Sequence, residues 1–190
     1  MDVFSVIQSK QSISKFKNIT PSNEMIEKIL ETGTWAPNHH RTESWRFFVL
    51  MAKDSKRLGD AMADALEDEI QNQDMTKIKL KLNAERNKPL RAPVIIAIAI
   101  TPSNNPVIEE LEEYAAVSIS SQNMMLVVHS LGLGSILRTG KAVSRKKVNN
   151  FFGLKGKEHL FGFLYIGYPD ISPPKGYRIS FKEKTIWINE

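Results

Sequence analysis

The segment Pro93-Val94-Ile95-Ile96-Ala97-Ile98-Ala99-Ile100-Thr101 decides the fold. It is apolar at odd and even positions alike and rich in β-branched residues. A strand with one face in water alternates; one that does not alternate is covered on both faces. The segment therefore predicts a central strand with a layer on each side. The sequence around it offers helices to build those layers. Upstream, Thr20-Pro21 reads as a helix start, with a hydroxyl N-cap before a proline at the first helical position. Met25, Ile26, Ile29 and Leu30 then form one apolar stripe, and Gly33 can close the helix. Downstream, a long helix is expected from about Ile108 to Leu131. Glu109, Glu110, Glu112 and Glu113 suit its positive N-terminal end. From Ala115 to Val128 it is nearly apolar all round, so it is buried centrally or at a subunit interface.

Further strands are expected at Arg46 to Ala52 (RFFVLMA), Ser135 to Arg138, and Phe161 to Gly167 (FGFLYIG), the first and last of them buried. A short helix over 3–10 would turn Val3, Phe4, Val6 and Ile7 inward. Asp54 or Ser55 can cap a helix carrying Leu58, Met62, Ala65, Leu66 and Ile70. Lys77 to Lys88 alternates as a strand would, but its surroundings favour a helix, and another helix occupies about Ser144 to Phe152. The expected class is α+β, a mixed sheet of four or five strands flanked by helices around one core. Residues 1–170 would form this domain. Residues 171–190 would be a C-terminal arm, polar and proline-marked until Thr185-Ile186-Trp187-Ile188. An apolar strand after a loose arm looks for a sheet edge, here on another subunit.

A length of 190 residues suggests one domain, and 42% hydrophobic with 25% charged residues is ordinary for a globular chain. With no cysteine, disulfides, thiolate nucleophiles and Cys-ligated metals are excluded. The net charge of +5 permits an anionic ligand without selecting one. The N-terminus lacks a targeting pattern, and no apolar run nears the roughly 20 residues of a spanning helix, so no membrane association and a cytoplasmic setting are expected. Asn18-Ile19-Thr20 fits a glycosylation pattern by accident.

Few motifs carry chemistry alone. Gly132-Leu133-Gly134 follows a helix and opens a strand, the reverse of a dinucleotide fingerprint, so these glycines terminate the helix. His39, His40, His129 and His159 show no metal spacing, so no metal site is expected. His129 reads as a core histidine; His39 and His40 sit in a loop better suited to ligand contact. No serine stands in a nucleophile elbow. Arg138 to Lys157 carries seven cations and no acid before Glu158. It reads as a solvated face, with a polyanion patch as the alternative, and sparse aromatics weigh against nucleic acid. Lys10-Gln11-Ser12-Ile13-Ser14-Lys15 sets two ammonium groups, two hydroxyls and an amide on one turn, enough to hold a phosphate.

Three ordered stretches together resemble the FMN-dependent nitroreductase family, in its small-subunit NAD(P)H nitroreductase branch. Ser9 to Phe16 is similar to the family's N-terminal phosphate segment. Trp35-Ala36-Pro37-Asn38-His39-His40-Arg41-Thr42-Glu43-Ser44-Trp45-Arg46-Phe47 resembles its Ala-Pro loop and following strand. Gly134-Ser135-Ile136-Leu137-Arg138-Thr139-Gly140, with Phe161 to Gly167 beyond, resembles the strand that lines the flavin. The sequence departs from the pattern at Lys10 and Gln11, where arginines are usual, at Ser44 for proline, and at Leu137, a position that can be tryptophan.

The resemblance implies a homodimer with two FMN sites at the subunit interface. Lys10, Gln11, Ser12 and Ser14 would hold phosphate and ribityl; Leu137, Arg138 and Thr139 would line the isoalloxazine. Trp35 and His39 would arrive from the other subunit. NADH or NADPH would reduce the flavin, and a nitroaromatic or quinone-like small molecule would reoxidise it in ping-pong fashion. No side chain is then required as a nucleophile. Arg138, His39 and Arg41 are candidates for stabilising negative charge on the reduced ring. The alternative, motivated by the departures at Lys10, Gln11 and Ser44, is a flavin-binding protein without nicotinamide-dependent turnover.

Overall fold

The computed structural model describes residues 2–70, 74–173 and 175–188. The central strand is where expected. β2 (Val94–Ile100) is buried at all seven positions. It lies between β1 (Trp45–Met51) and β4 (His159–Gly167), and β3 (Gly134–Arg138) completes the order β1-β2-β4-β3. Two helices cover one face, α2 (Asn23–Thr34) and α5 (Glu110–Ser130), closing a core with Val94, Ile96, Ile98 and Leu164. The opposite face, with Ile95, Ala97, Ala99 and Phe163, is covered by α3 (Ala52–Glu67) and α6 (Lys146–Phe151). Two further helices are α1 (Val3–Ser9) and α4 (Met75–Arg86), the latter laid against α3. Each fully buried Ile or Val of β2 contributes about 1.5–3 kcal/mol through burial.

The class is α+β with four strands, but the sheet is not mixed. Every ladder is antiparallel, and the one parallel pairing described is the isolated bridge between Ser12 and Ser135. The order explains this. β2, α5 and β3 make a crossover that leaves β2 and β3 pointing the same way, but β4 inserts between them. On the other side, α3 and α4 return the chain to the end it left, because Met51 pairs with Val94.

Several local expectations are corrected. Ser22, not Thr20, caps α2, its hydroxyl accepting from Met25 N at 3.3 Å. Gly33 lies inside α2 rather than closing it. A Cβ there would stand 3.0 Å from Met124 Cγ, so glycine lets α2 approach α5. α3 begins at Ala52 with no side-chain cap, ahead of Asp54 and Ser55. In α1 only Val6 is buried; Val3, Phe4 and Ile7 are exposed. β1 is an edge strand with only Leu50 buried. The 77–88 stretch is helical as far as Arg86, with Asp74 capping α4 through Thr76 N and Lys77 N. Residues 185–188 form no strand within this chain, and Ile186, Trp187 and Ile188 lie exposed. Among the described residues, no helix is long and apolar enough to cross a membrane.

Candidate functional site

β3 is the sheet edge opposite β1, and the chain after α1 runs along it. Ile13 N donates to Ser135 O at 2.9 Å. Gly134 makes room for Ile13, since a Cβ there would come within 2.9 Å of the Ile13 Cβ. This seating carries Lys10 and Gln11 to a cavity of about 170 Å³ that Ser135, His129 and Pro173 also line. His129 is half-buried and bonds Ser9 Oγ at 2.8 Å. Ser12 and Ser14 lie exposed on the same extended segment.

The C-terminal arm reaches this cavity too. Gly176 packs so closely on Gln11 that a Cβ would fall 2.5 Å from its Nε2. Arg178 comes near enough to Lys10 to act on its charge. Burial first, and then this like charge, hold the Lys10 ammonium below its usual range. Neither cation is ion-paired with a carboxylate among the described residues; the Lys10 Nζ contacts Met125 Sδ at 3.4 Å. An under-neutralised ammonium lining a pocket, with a second cation acting on it, suits an anion. Arg178 was not among the sequence candidates. Its cation is visible in the sequence, but nothing local says that the arm folds back onto Lys10.

Farther along β3 a second cavity opens, of about 510 Å³. Leu137, Arg138 and Thr139 line it, above an apolar floor of Met62, Phe163 and Tyr165. Burial pushes the Tyr165 phenol up to about 12, against the opposing pull of Arg138 and Arg91. Lys88, Arg91, Lys141 and Arg145 add cations that the sequence reading had not assigned here, with one acid, Glu85. Arg145 is buried and braced, reaching Glu69 at 3.0 and 3.1 Å and Glu85 at 2.9 Å. Glu85 also pairs with Lys88 at 2.5 Å. Lys147 pairs with Asp68 at 2.7 Å. Acids from α4 and the turn after α3 thus meet part of the 138–157 basic run, which weakens the polyanion reading.

Trp35 and His39 line neither cavity of this chain. Trp35 ends α2 and is 78% exposed. His39 Nδ1 pairs with Glu112 Oε2 at 2.7 Å, so its loop is tied to the start of α5. The next residues hold that loop in a costly shape, with positive φ at His40 (55°), Arg41 (53°) and Glu43 (46°). A third cavity shares Thr139 with the second and holds Tyr114 and His159. His159 Nδ1 bonds the Lys157 carbonyl at 2.8 Å. A carbonyl only accepts, so Nδ1 carries the hydrogen and Nε2 accepts from the Tyr114 hydroxyl. Burial, and secondarily Glu110, raise the Tyr114 pKa. Among the described residues there is no cluster suited to a metal ion.

The architecture has known relatives. The model of the nitroreductase family matches residues 7–168. A Bacillus subtilis (strain 168) protein named "Putative NAD(P)H nitroreductase YfhC" is 29% identical over 179 residues, 94% of this chain and 90% of its own. "Putative NAD(P)H nitroreductase YdjA" of Escherichia coli (strain K12) is 26% identical, covering 90% of each chain. Among solved structures, a nitroreductase-like family protein from Bacillus cereus superposes with a TM-score of 0.87 at 23% identity, covering 100% of this chain and 97% of that one. A Desulfovibrio desulfuricans structure, described as a putative nitroreductase in complex with FMN, gives 0.76 at 21% identity over 100% and 98%.

Proposed function

This chain belongs to the nitroreductase family, and from that premise we propose that it is an FMN-dependent oxidoreductase that uses NADH or NADPH to reduce nitroaromatic or quinone-like acceptors. The observation that carries the reading is the placing of Lys10 and Gln11 in a cavity at one end of β3 and of Leu137, Arg138 and Thr139 in a cavity at the other. Phosphate is a natural counter-charge for the Lys10 ammonium. Ser135 of this cavity and Arg138 of the next are three residues apart on β3, ~10 Å along the strand. One elongated ligand can therefore place an anionic end at the first cavity and a flat ring in the second.

The residues fit FMN in kind. Lys10 and Arg178 would hold the phosphate, and Gln11, Ser12 and Ser14 offer an amide and hydroxyls to the ribityl chain. Leu137 and Thr139 would lie along the ring, and Arg138 would face the negative charge that reduction adds. Bound there, FMN would supply the two-electron chemistry that the side chains lack. The apolar floor excludes water from one side of the ring position.

Trp35 and His39 are assigned to the site of a partner subunit, which makes the protein a homodimer. Two features support this. Leu111, Ala115, Ser118 and Ile119 form an uncovered stripe on α5, and the arm carries exposed Phe181, Ile186 and Trp187. An interlocked dimer would cover both. Solved structures of similar fold are described in complex with FMN and with NADPH, which supports the same reading.

The visible spectrum tests the reading. Purified or FMN-reconstituted protein is expected to be yellow and to bleach with NADH or NADPH. Colourless protein that takes up no FMN would end it. Bound flavin that bleaches with dithionite but with neither nicotinamide would favour the binding-only alternative, which the departures at Lys10 and Gln11 motivate.

A further inference from the structure

The second cavity holds more positive charge than a flavin site needs. Five cations line it: Lys88, Arg91, Arg138, Lys141 and Arg145. Its one acid, Glu85, is already shared between Arg145 and Lys88. Arg145 is further matched by Glu69. That leaves Arg91, Arg138 and Lys141, all exposed at the cavity and none in an ion pair among the described residues. Arg138 sits 6.0 Å from the Tyr165 ring centroid, and Arg91 acts on the same phenol. Like charges gathered around an apolar floor repel one another, so the arrangement gains when an anion enters.

The flavin does not supply enough of that anion. On the proposed function, its phosphate lies at the other cavity with Lys10 and Arg178, and reduction of its ring adds at most one negative charge. Arg138 is matched to that charge. Arg91 and Lys141 are left over, on two different segments at the cavity's edge.

We propose that Arg91 and Lys141 select a reactant that carries a carboxylate or phosphate beside its flat ring. The inference rests on the flavin reading only for the word reactant; the anion preference of the cavity stands on the charges alone. Two sources share this chemistry: an acidic aromatic acceptor, and the extra phosphate that distinguishes NADPH from NADH. Neutral nitroaromatics would then be incidental substrates that use the apolar floor but leave the cations unmatched.

The test compares benzoate with benzamide, two probes of the same shape and different charge. Binding is followed by ligand-observed NMR on the protein with and without FMN in low salt, where the Debye length is about 30 Å. Benzoate is expected to bind at least about tenfold more tightly, as charge-assisted hydrogen bonds allow. The advantage should shrink below about threefold in Arg91→Gln/Lys141→Gln and persist in Arg91→Lys, since the charge rather than the fork is required. Equal binding of the two probes overturns the proposal, as does a benzoate preference that survives the double glutamine variant in FMN-loaded protein, where Lys10 and Arg138 are already matched by the flavin. In the loaded protein, a matching loss of preference for 4-nitrobenzoate over nitrobenzene assigns the acceptor as the source. A loss of NADPH over NADH preference assigns the nicotinamide. Protein that binds no FMN but still prefers benzoate through Arg91 and Lys141 would sink the flavin reading and leave this one standing.

Discussion

Arg145 Nη1 donates to Glu85 Oε1 at 2.9 Å, and each side chain is only 7% exposed. The pair ties the end of α4 to the start of α6 beneath the second cavity. A buried pair of this kind is weak grounds for stability in itself, but removing one partner strands the other charge. Arg145→Met is therefore expected to destabilise the fold by about 3–5 kcal/mol in urea unfolding. Arg145→Met/Glu85→Met should recover much of that loss. A single-variant cost below about 1 kcal/mol would mean that water reaches the pair and that surface values apply. Arg145 also holds the exposed Glu69 carboxyl below its usual range. That contribution is present above the ordinary carboxylate pKa and is lost as pH falls through the lower folded value.

Gly59 makes a second prediction, against helix propensity. It lies inside α3, where Ala would ordinarily gain about 1 kcal/mol over Gly. A Cβ at this position would stand 2.1 Å from the Arg86 carbonyl oxygen, a backbone atom that cannot rotate away. Gly59→Ala should therefore lower stability by a net 1–2 kcal/mol or so, since overpacking costs typically 1–3 kcal/mol and more when backbone must move. The thermal midpoint reads this directly. A variant as stable as the parent would show that α3 and α4 can separate without loss.

What the sequence made legible follows from range. The β2 segment declared its two-sided burial because each residue reports its own environment. The long apolar α5 reads less cleanly, for one face is buried and another, with Leu111, Ala115, Ser118 and Ile119, is uncovered in this chain. The α2 cap was misplaced because Thr20 and Ser22 carry equivalent local signals, and only the path of the chain chooses Ser22. The all-antiparallel sheet could not be read, because the insertion of β4 between β2 and β3 is a long-range event. The site divides in the same way. Lys10 and Gln11 meet at one cavity, and Leu137, Arg138 and Thr139 at another, each set being contiguous in sequence. Arg178, Lys88 and Arg91 had no motif around them, and their roles arise only where distant segments converge. Lys141 was read as part of a basic run, whereas in the fold it stands apart from the paired Arg145 and Lys147.

Lys10 gives a pH prediction. Its folded pKa is depressed below the usual 10.5 by burial and by Arg178. Between the depressed value and 10.5 the unfolded chain binds more protons than the folded one. Stability of the flavin-free protein should therefore rise with pH through that alkaline window. A bound phosphate group supplies the missing counter-charge, so FMN should flatten the rise, and its affinity should fall as Lys10 loses its proton. Thermal midpoints across pH, with and without FMN, measure both. Lys10→Gln should remove this part of the slope and weaken FMN binding about tenfold, the scale of one charge-assisted bond. An unchanged slope in Lys10→Gln would place the titrating group elsewhere.

The proposed dimer makes the last prediction. On α5, Leu111 is 79% and Ile119 39% exposed, in line with Ala115 and Ser118. Positions 111, 115 and 119 recur every four residues, so they share one face. Small residues between larger ones let two helices approach closely. If that face meets its copy, Ile119→Arg sets two like charges against each other across a symmetric contact. Sedimentation velocity should then show the parent as a dimer and the variant as a folded monomer. Far-UV circular dichroism should be unchanged, because Ile119 faces away from the core. Loss of FMN should accompany dissociation, since Trp35 and His39 line neither cavity of their own chain. A monomeric variant that keeps its flavin would detach the cofactor site from the interface and return those two residues to an ordinary surface loop.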